Sequence, residues 1–156
     1  MIELIDPIIS SNKVDISTGL NVHYLEASKN NNNQPIALLL HGFPELSFSW
    51  RKIIPILAYE GFRVIAPDMR GYGLTSGGTK KYDTNISEYR LLNLTTDILS
   101  LISALKINKV DLLVGHDAGS SVAGTSALIR PDIFKSVVMM SAPFTGAPNI
   151  DSNLSY

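Results

Sequence analysis

Four short, almost wholly apolar runs constrain this chain more than any other feature. They lie at residues 36–40, 62–66, 110–114 and 136–140. A strand with no polar face is covered on both sides, as in a parallel sheet held between helix layers. The segments between the runs read as helices: 55–59 closed by Gly61, 88–106 with apolar Leu91, Leu94, Ile98, Leu101 and Leu105, and 119–129 before Pro131. Strands alternating with helices call for a parallel sheet joined by right-handed crossovers. Ahead of them, residues 14–16 and 20–25 alternate apolar and polar positions around Thr18-Gly19, the pattern of an antiparallel hairpin. The expected fold is α/β, a mainly parallel sheet of about six strands with helices on both faces. The tract Asn30 to Asn33 packs no core and lengthens a surface turn.

Composition narrows the chemistry. A net charge of -1 leaves no basic surplus to track phosphates, so nucleic acid is set aside as a partner. With no cysteine and three scattered histidines, neither a disulfide, a thiolate metal site nor a paired-histidine zinc site is expected, and no cofactor is implied. The N-terminus has no basic stretch leading into a long apolar one, and no apolar run approaches a membrane span. A cytoplasmic protein acting on a small molecule, with no membrane partner, is the expectation.

The segment Gly115-His116-Asp117-Ala118-Gly119 ends a buried run and opens a helix. It fits a nucleophile elbow with aspartate in the reactive slot, where a sharp strand-to-helix turn needs small neighbours such as Gly115 and Gly119. The same residues also fit a helix whose N-cap is Asp117. The segment alone leaves both readings open.

A second segment, His41-Gly42-Phe43-Pro44-Glu45, follows another buried run. Elbow sites take one oxyanion donor from the residue after the nucleophile and another from the loop after the third strand. Here those donors are the backbone N–H groups of Ala118 and Phe43. Pro44 has no N–H and restricts Phe43, and such a tight turn is a place for a cis Phe43–Pro44 bond. A plain strand-ending turn is the competing reading of this segment taken alone. In a third segment, 66–76, Asp68 and Arg70 organise a glycine-rich turn rather than react.

These three segments, with Ser49-Trp50-Arg51, occur in the order and spacing of one family. The chain resembles the epoxide-hydrolase-like branch of the α/β-hydrolases, from the hairpin to Ser141-Ala142-Pro143-Phe144. The resemblance implies that Asp117 attacks a substrate carbon to form an alkyl-enzyme ester, which a histidine-activated water then hydrolyses. It implies substrate contact for Trp50 and supporting roles for His41, Gly42, Pro44, Gly115, His116 and Gly119. His116 is expected to point into the sheet–helix packing, and His41 to brace its loop by hydrogen bonds.

Departures from the family temper that reading. Ala118 stands where haloalkane dehalogenases carry a halide-holding tryptophan, and no G-x-S-x-G occurs to support a serine esterase. No histidine follows Asp117, although this fold places its acid and base late in the chain. Residues 1–144 are therefore expected to be the N-terminal part of the core, and 145–156 the start of a connection to a missing lid and last strands. The expectation is a chain inactive as a fragment, or a non-catalytic remnant that binds a small molecule or partner. Its last strand is expected to be an open edge prone to self-association.

Overall fold

The computed structural model describes residues 5–29, 33–78 and 86–142. The tract 30–32 and the segment 143–156, including the expected connection 145–156, lie outside the described residues. Among the described residues there are six strands: β1 Ile9–Asp15, β2 Asn21–Ala27, β3 Ile36–Leu40, β4 Arg63–Pro67, β5 Leu112–His116 and β6 Val137–Met140. Three α-helices join them: α1 Ile53–Tyr59, α2 Leu91–Ala104 and α3 Ala118–Ile129.

The strands form one sheet in the order β1-β2-β4-β3-β5-β6. β1 and β2 are antiparallel, and β2 meets β4 antiparallel; the pairs β3–β4, β3–β5 and β5–β6 are parallel. The hairpin turn falls where expected, with Gly19 at φ 85° and its N–H donated to the Ile16 carbonyl at 3.0 Å. The strands extend further on both sides than the alternation suggests.

Both faces of the parallel strands are covered, which is why these runs carry no polar alternation. On one face Leu38, Leu40, Ile65 and Leu113 pack with Ile98 and Ile102 of α2 and Val122 and Ala123 of α3. On the other Leu39, Val64, Ala66 and Val114 pack with Ile54 and Ala58 of α1.

Two helices differ from expectation. α1 starts at Ile53, two residues before Pro55, because a proline in the first turn forfeits only an N–H that has no intrahelical partner. The segment expected as one helix over 88–106 divides into a 3-10 turn Ile86–Tyr89 and then α2, with Arg90 extended at ψ 145° between them. Apolar periodicity runs across that break and does not reveal it. Among the described residues no helix is long and apolar enough to cross a membrane.

The sheet order matters most for function. β3 and β5 are direct neighbours with Leu40 opposite Gly115, so the segments that follow each strand emerge side by side at the carboxyl edge. This brings together two motifs more than seventy residues apart in sequence, since Phe43 and Asp117 touch across 74 positions.

Candidate active site

Asp117 sits between β5 and α3 at φ 50° and ψ -118°, a conformation that few side-chain-bearing residues adopt. Such strain persists only where the surroundings impose it, and here they do. The Asp117 N–H donates to the Met140 carbonyl of β6 at 2.9 Å, and its own carbonyl accepts the Ser120 N–H at 2.9 Å. The buried Ser120 hydroxyl lies 2.7 Å from the Gly115 carbonyl and 2.8 Å from that of Met140, and accepts the Met140 N–H at 3.0 Å. One small side chain thus joins β5, β6 and α3 beneath the elbow.

The glycines are required by contact. A Cβ on Gly115 would lie 2.4 Å from the Gly119 carbonyl oxygen, and one on Gly119 would lie 2.4 Å from that of Leu40. One on Gly42 would lie 2.6 Å from the Asp117 Cβ. At Gly115 and Gly119 backbone meets backbone, and no rotamer change relieves the overlap.

Asp117 occupies the N-cap position of α3, but its side chain makes no capping bond to the helix. Its Oδ1 instead accepts the Phe43 N–H at 2.9 Å. That bond first, and the Ala118 N–H next, hold the Asp117 carboxyl below the ordinary aspartate range. Of the two backbone groups named as oxyanion donors, the Phe43 N–H is thus hydrogen-bonded to the carboxylate.

The Phe43–Pro44 peptide is cis, and the Phe43 ring is 69% exposed. His41 is wholly buried; its Nδ1–H donates to the Gly42 carbonyl at 2.9 Å and its Nε2 accepts the Met69 N–H at 3.0 Å. One neutral tautomer satisfies both bonds. Burial first holds the ring below its ordinary pKa, outweighing the Gly42 bond and the charges of Asp68 and Glu45.

Two expectations need correction. His116 does not point into the sheet–helix packing: its side chain is 35% exposed and its Nδ1 lies 3.0 Å from Glu45 Oε2. As the last residue of β5 it faces the loop after β3. Trp50 does not line the site. It is buried in the cluster with Leu39, Ile54, Ala58 and Val114, because the 3-10 turn Ser47–Trp50 swings its indole under α1.

Two neighbours escaped the sequence reading as site residues. Glu45 Oε2 accepts both His116 Nδ1–H and the Gly42 N–H, the latter at 3.2 Å, tying the loop to the elbow. Tyr72 packs edge-on against His41 at 5.0 Å between ring centroids. Its phenol is pushed up first by burial and next by the negative charge of Asp117. The final glutamate of His-Gly-Phe-Pro-Glu and the tyrosine of Gly-Tyr-Gly were visible in sequence, but their contacts were not.

A polar cavity of about 790 Å³ lies at the opposite end of the sheet, lined by residues such as Arg63, Lys109, Asp111 and Lys135. It does not reach the elbow, and open α/β sheets bind ligands at the carboxyl ends of their strands. The strained, hydrogen-bonded Asp117 is therefore the better candidate site. Among the described residues no group of three or more His, Asp or Glu side chains could hold a metal ion.

An elbow on a mainly parallel sheet, faced by donors from the neighbouring strand's loop, defines an α/β-hydrolase. Residues 35–155 match the family model for the alpha/beta hydrolase fold, and the chain belongs to that family. Within it the chain is epoxide-hydrolase-like. It is 43% identical over 131 residues to an epoxide hydrolase of Caballeronia sordidicola, covering 83% of this chain and 37% of that protein. It is 40% identical over 128 residues to epoxide hydrolase B of Mycobacterium tuberculosis, covering 82% of this chain and 34% of the relative. Among solved structures, potato epoxide hydrolase I superposes with a TM-score of 0.80 at 36% identity over 91% of this chain and 43% of that one. An epoxide hydrolase from Vigna radiata gives 0.77 at 39% identity, over 88% and 39% respectively. The chain thus spans about two fifths of the length of these relatives.

Proposed function

We propose that Asp117 is the nucleophile of an epoxide-opening reaction that proceeds through an alkyl-enzyme ester. The observation that carries this reading is the strained Asp117, with its Oδ1 held by the Phe43 N–H at 2.9 Å. The second carboxylate oxygen attacks an epoxide carbon, the ring C–O bond breaks, and the released alkoxide oxygen takes a proton from solvent water. A carboxylate held below its ordinary pKa is ionised throughout the neutral range and needs no base for this step. Once the ester forms, Oδ1 is its carbonyl oxygen. When water adds to that carbon, Oδ1 becomes the oxyanion, and the Phe43 N–H already faces it.

The second step requires a base for the water, and no histidine follows Asp117 among these 156 residues. The three histidines present are engaged elsewhere: His23 with Ser11 and Asp68, His41 with Gly42 and Met69, and His116 with Glu45. These residues alone are proposed to form the ester and hold it. Incubation with an activated aryl epoxide is expected to add one adduct to the Asp117 peptide by mass spectrometry. The adduct should be absent in Asp117→Ala and accompanied by no continuing release of diol. Sustained turnover would refute the stalled ester, and an unmodified Asp117 would favour a chain that only binds. The elbow offers no serine nucleophile, since the Ser120 hydroxyl is buried and bonded to β5 and β6.

A further inference from the structure

The β1–β2 hairpin carries a second constellation. Ser11, exposed on edge strand β1, has its Oγ 2.8 Å from Nε2 of His23 in β2. His23 is 5% exposed, and its Nδ1 lies 2.7 Å from Oδ2 of Asp68, which is 2% exposed. Asp68 is fixed in turn by the Ser47 N–H on Oδ1 at 2.8 Å and the Leu74 N–H on Oδ2 at 2.9 Å. A carboxylate only accepts, so the His23 proton is on Nδ1 and Nε2 presents its lone pair to the Ser11 hydroxyl. That is the tautomer a serine nucleophile requires of its base.

The strand register supplies donors as well. His23 accepts the Asp68 N–H at its carbonyl and gives its own N–H to Thr75 Oγ1, so this residue bonds away from β1. By antiparallel alternation Lys13, opposite His23, and Ser11, opposite Leu25, turn their backbone N–H groups to the open sheet edge. Lys13 also shares a face with Ser11, being two residues along the strand. Its ammonium makes no ion pair among the described residues. The Ser11 hydroxyl is at the surface, and its bond gives the buried His23 Nε2 a partner.

We infer that Ser11, His23 and Asp68 form a second nucleophilic centre, separate from Asp117, that takes small activated acyl esters such as aryl acetates. Ser11 Oγ attacks the carbonyl carbon and its proton passes to His23 Nε2. The bond to the aryloxide breaks, and the leaving oxygen takes that proton. Water repeats the exchange through His23, releasing acetate and restoring Ser11. An open strand edge supplies no cleft to bind an acyl chain, so reaction rests on the leaving group and an aryl ester is the fair substrate.

The test uses the whole chain carrying Asp117→Ala, so the elbow contributes nothing. A fluorophosphonate, which loses fluoride to an activated serine, is expected to label the Ser11 peptide ahead of the exposed Ser10 and Ser17, and not to label Ser11→Ala. Because the chain has no cysteine, Ser11→Cys and Ser10→Cys each carry a sole thiol. At neutral pH the Ser11→Cys thiol should react with iodoacetamide about ten-fold faster or more, the effect of about one unit of thiol pKa. Equal thiol rates overturn the proposal whatever the label shows, and label spread over the three serines in proportion to exposure overturns it too.

Discussion

Gly119→Ala sets two physical rules against each other. Gly119 is the second residue of α3, and helix propensity alone predicts that alanine stabilises the chain by about 1 kcal/mol. The structure predicts the reverse. The added methyl would lie 2.4 Å from the Leu40 carbonyl oxygen and 2.5 Å from that of His41, roughly 1 Å inside ordinary contact. Overpacking costs about 1–3 kcal/mol where side chains can shift, and here both opposing atoms are backbone at the end of β3. The net expectation is a loss of about 2 kcal/mol, the upper end of that cost after the propensity gain. With a urea slope of about 2 kcal/mol/M, the midpoint falls by about 1 M. Trp50, the sole tryptophan and a buried one, reports the transition by fluorescence. Ser121→Ala, exposed in the same turn, is the control and should leave the midpoint unchanged or slightly raised. Relief of the overlap pushes α3 from β3 and lengthens the Phe43–Asp117 bond, so Asp117 adduct formation should slow as well. A Gly119→Ala midpoint at or above wild type would refute the close-approach argument.

Asp97→Ala should cost about 3 kcal/mol in urea denaturation, because it leaves the buried Arg70 guanidinium, which Asp97 holds at 2.7 and 2.8 Å, with only the longer 3.3 Å bond to the half-exposed Glu88; a loss below about 1 kcal/mol would contradict this. Because burial keeps His41 below its ordinary pKa, the unfolded chain takes that proton first, near pH 6.5, so stability should fall as pH drops through that value toward the lower folded pKa. Urea midpoints at about pH 7.5 and about pH 5.5 should differ less in His41→Gln than in wild type, and equal differences would refute the assignment. β6 is an edge of the sheet and Val138 is 44% exposed, so Val138→Lys should reduce self-association in analytical ultracentrifugation; a wild type monomeric at high concentration would remove the premise.

Residues governed by local sequence were legible before the structure. Gly115 and Gly119 flank a strand-to-helix turn, and a turn that sharp demands small residues wherever it occurs. The apolar runs announced a sheet covered on both faces, and Pro44 announced a restricted loop. What periodicity does not contain is which strands are neighbours. His116 faces Glu45 across 71 positions only because β3 lies beside β5. The last residue of a buried strand looks from sequence like a core residue, whereas here the strand has already reached the carboxyl edge. Trp50 misled in the opposite sense: three residues of 3-10 turn separate a place beside the loop from one under α1. Ser11, His23 and Asp68 lie in three separate segments, and only the hairpin register and the β2–β4 pairing bring them together.

The sheet order also explains why the Asp117 carboxylate and the loop after β3 form one unit. Asp117 is fixed by contacts to β6 and α3, and its carboxylate by the loop after β3. Each of these elements adjoins β5 directly in the sheet or in the packing. Glu45 then closes the circuit, holding Gly42 on one side and His116 on the other. The one imidazole in this set, His116, is held by Glu45. On the mechanism proposed above, this set holds the carboxylate for attack and aims the Phe43 N–H at the oxygen that carries the later oxyanion. Ester formation and ester release are then expected to be separable, with the Asp117 adduct as the species that reports it.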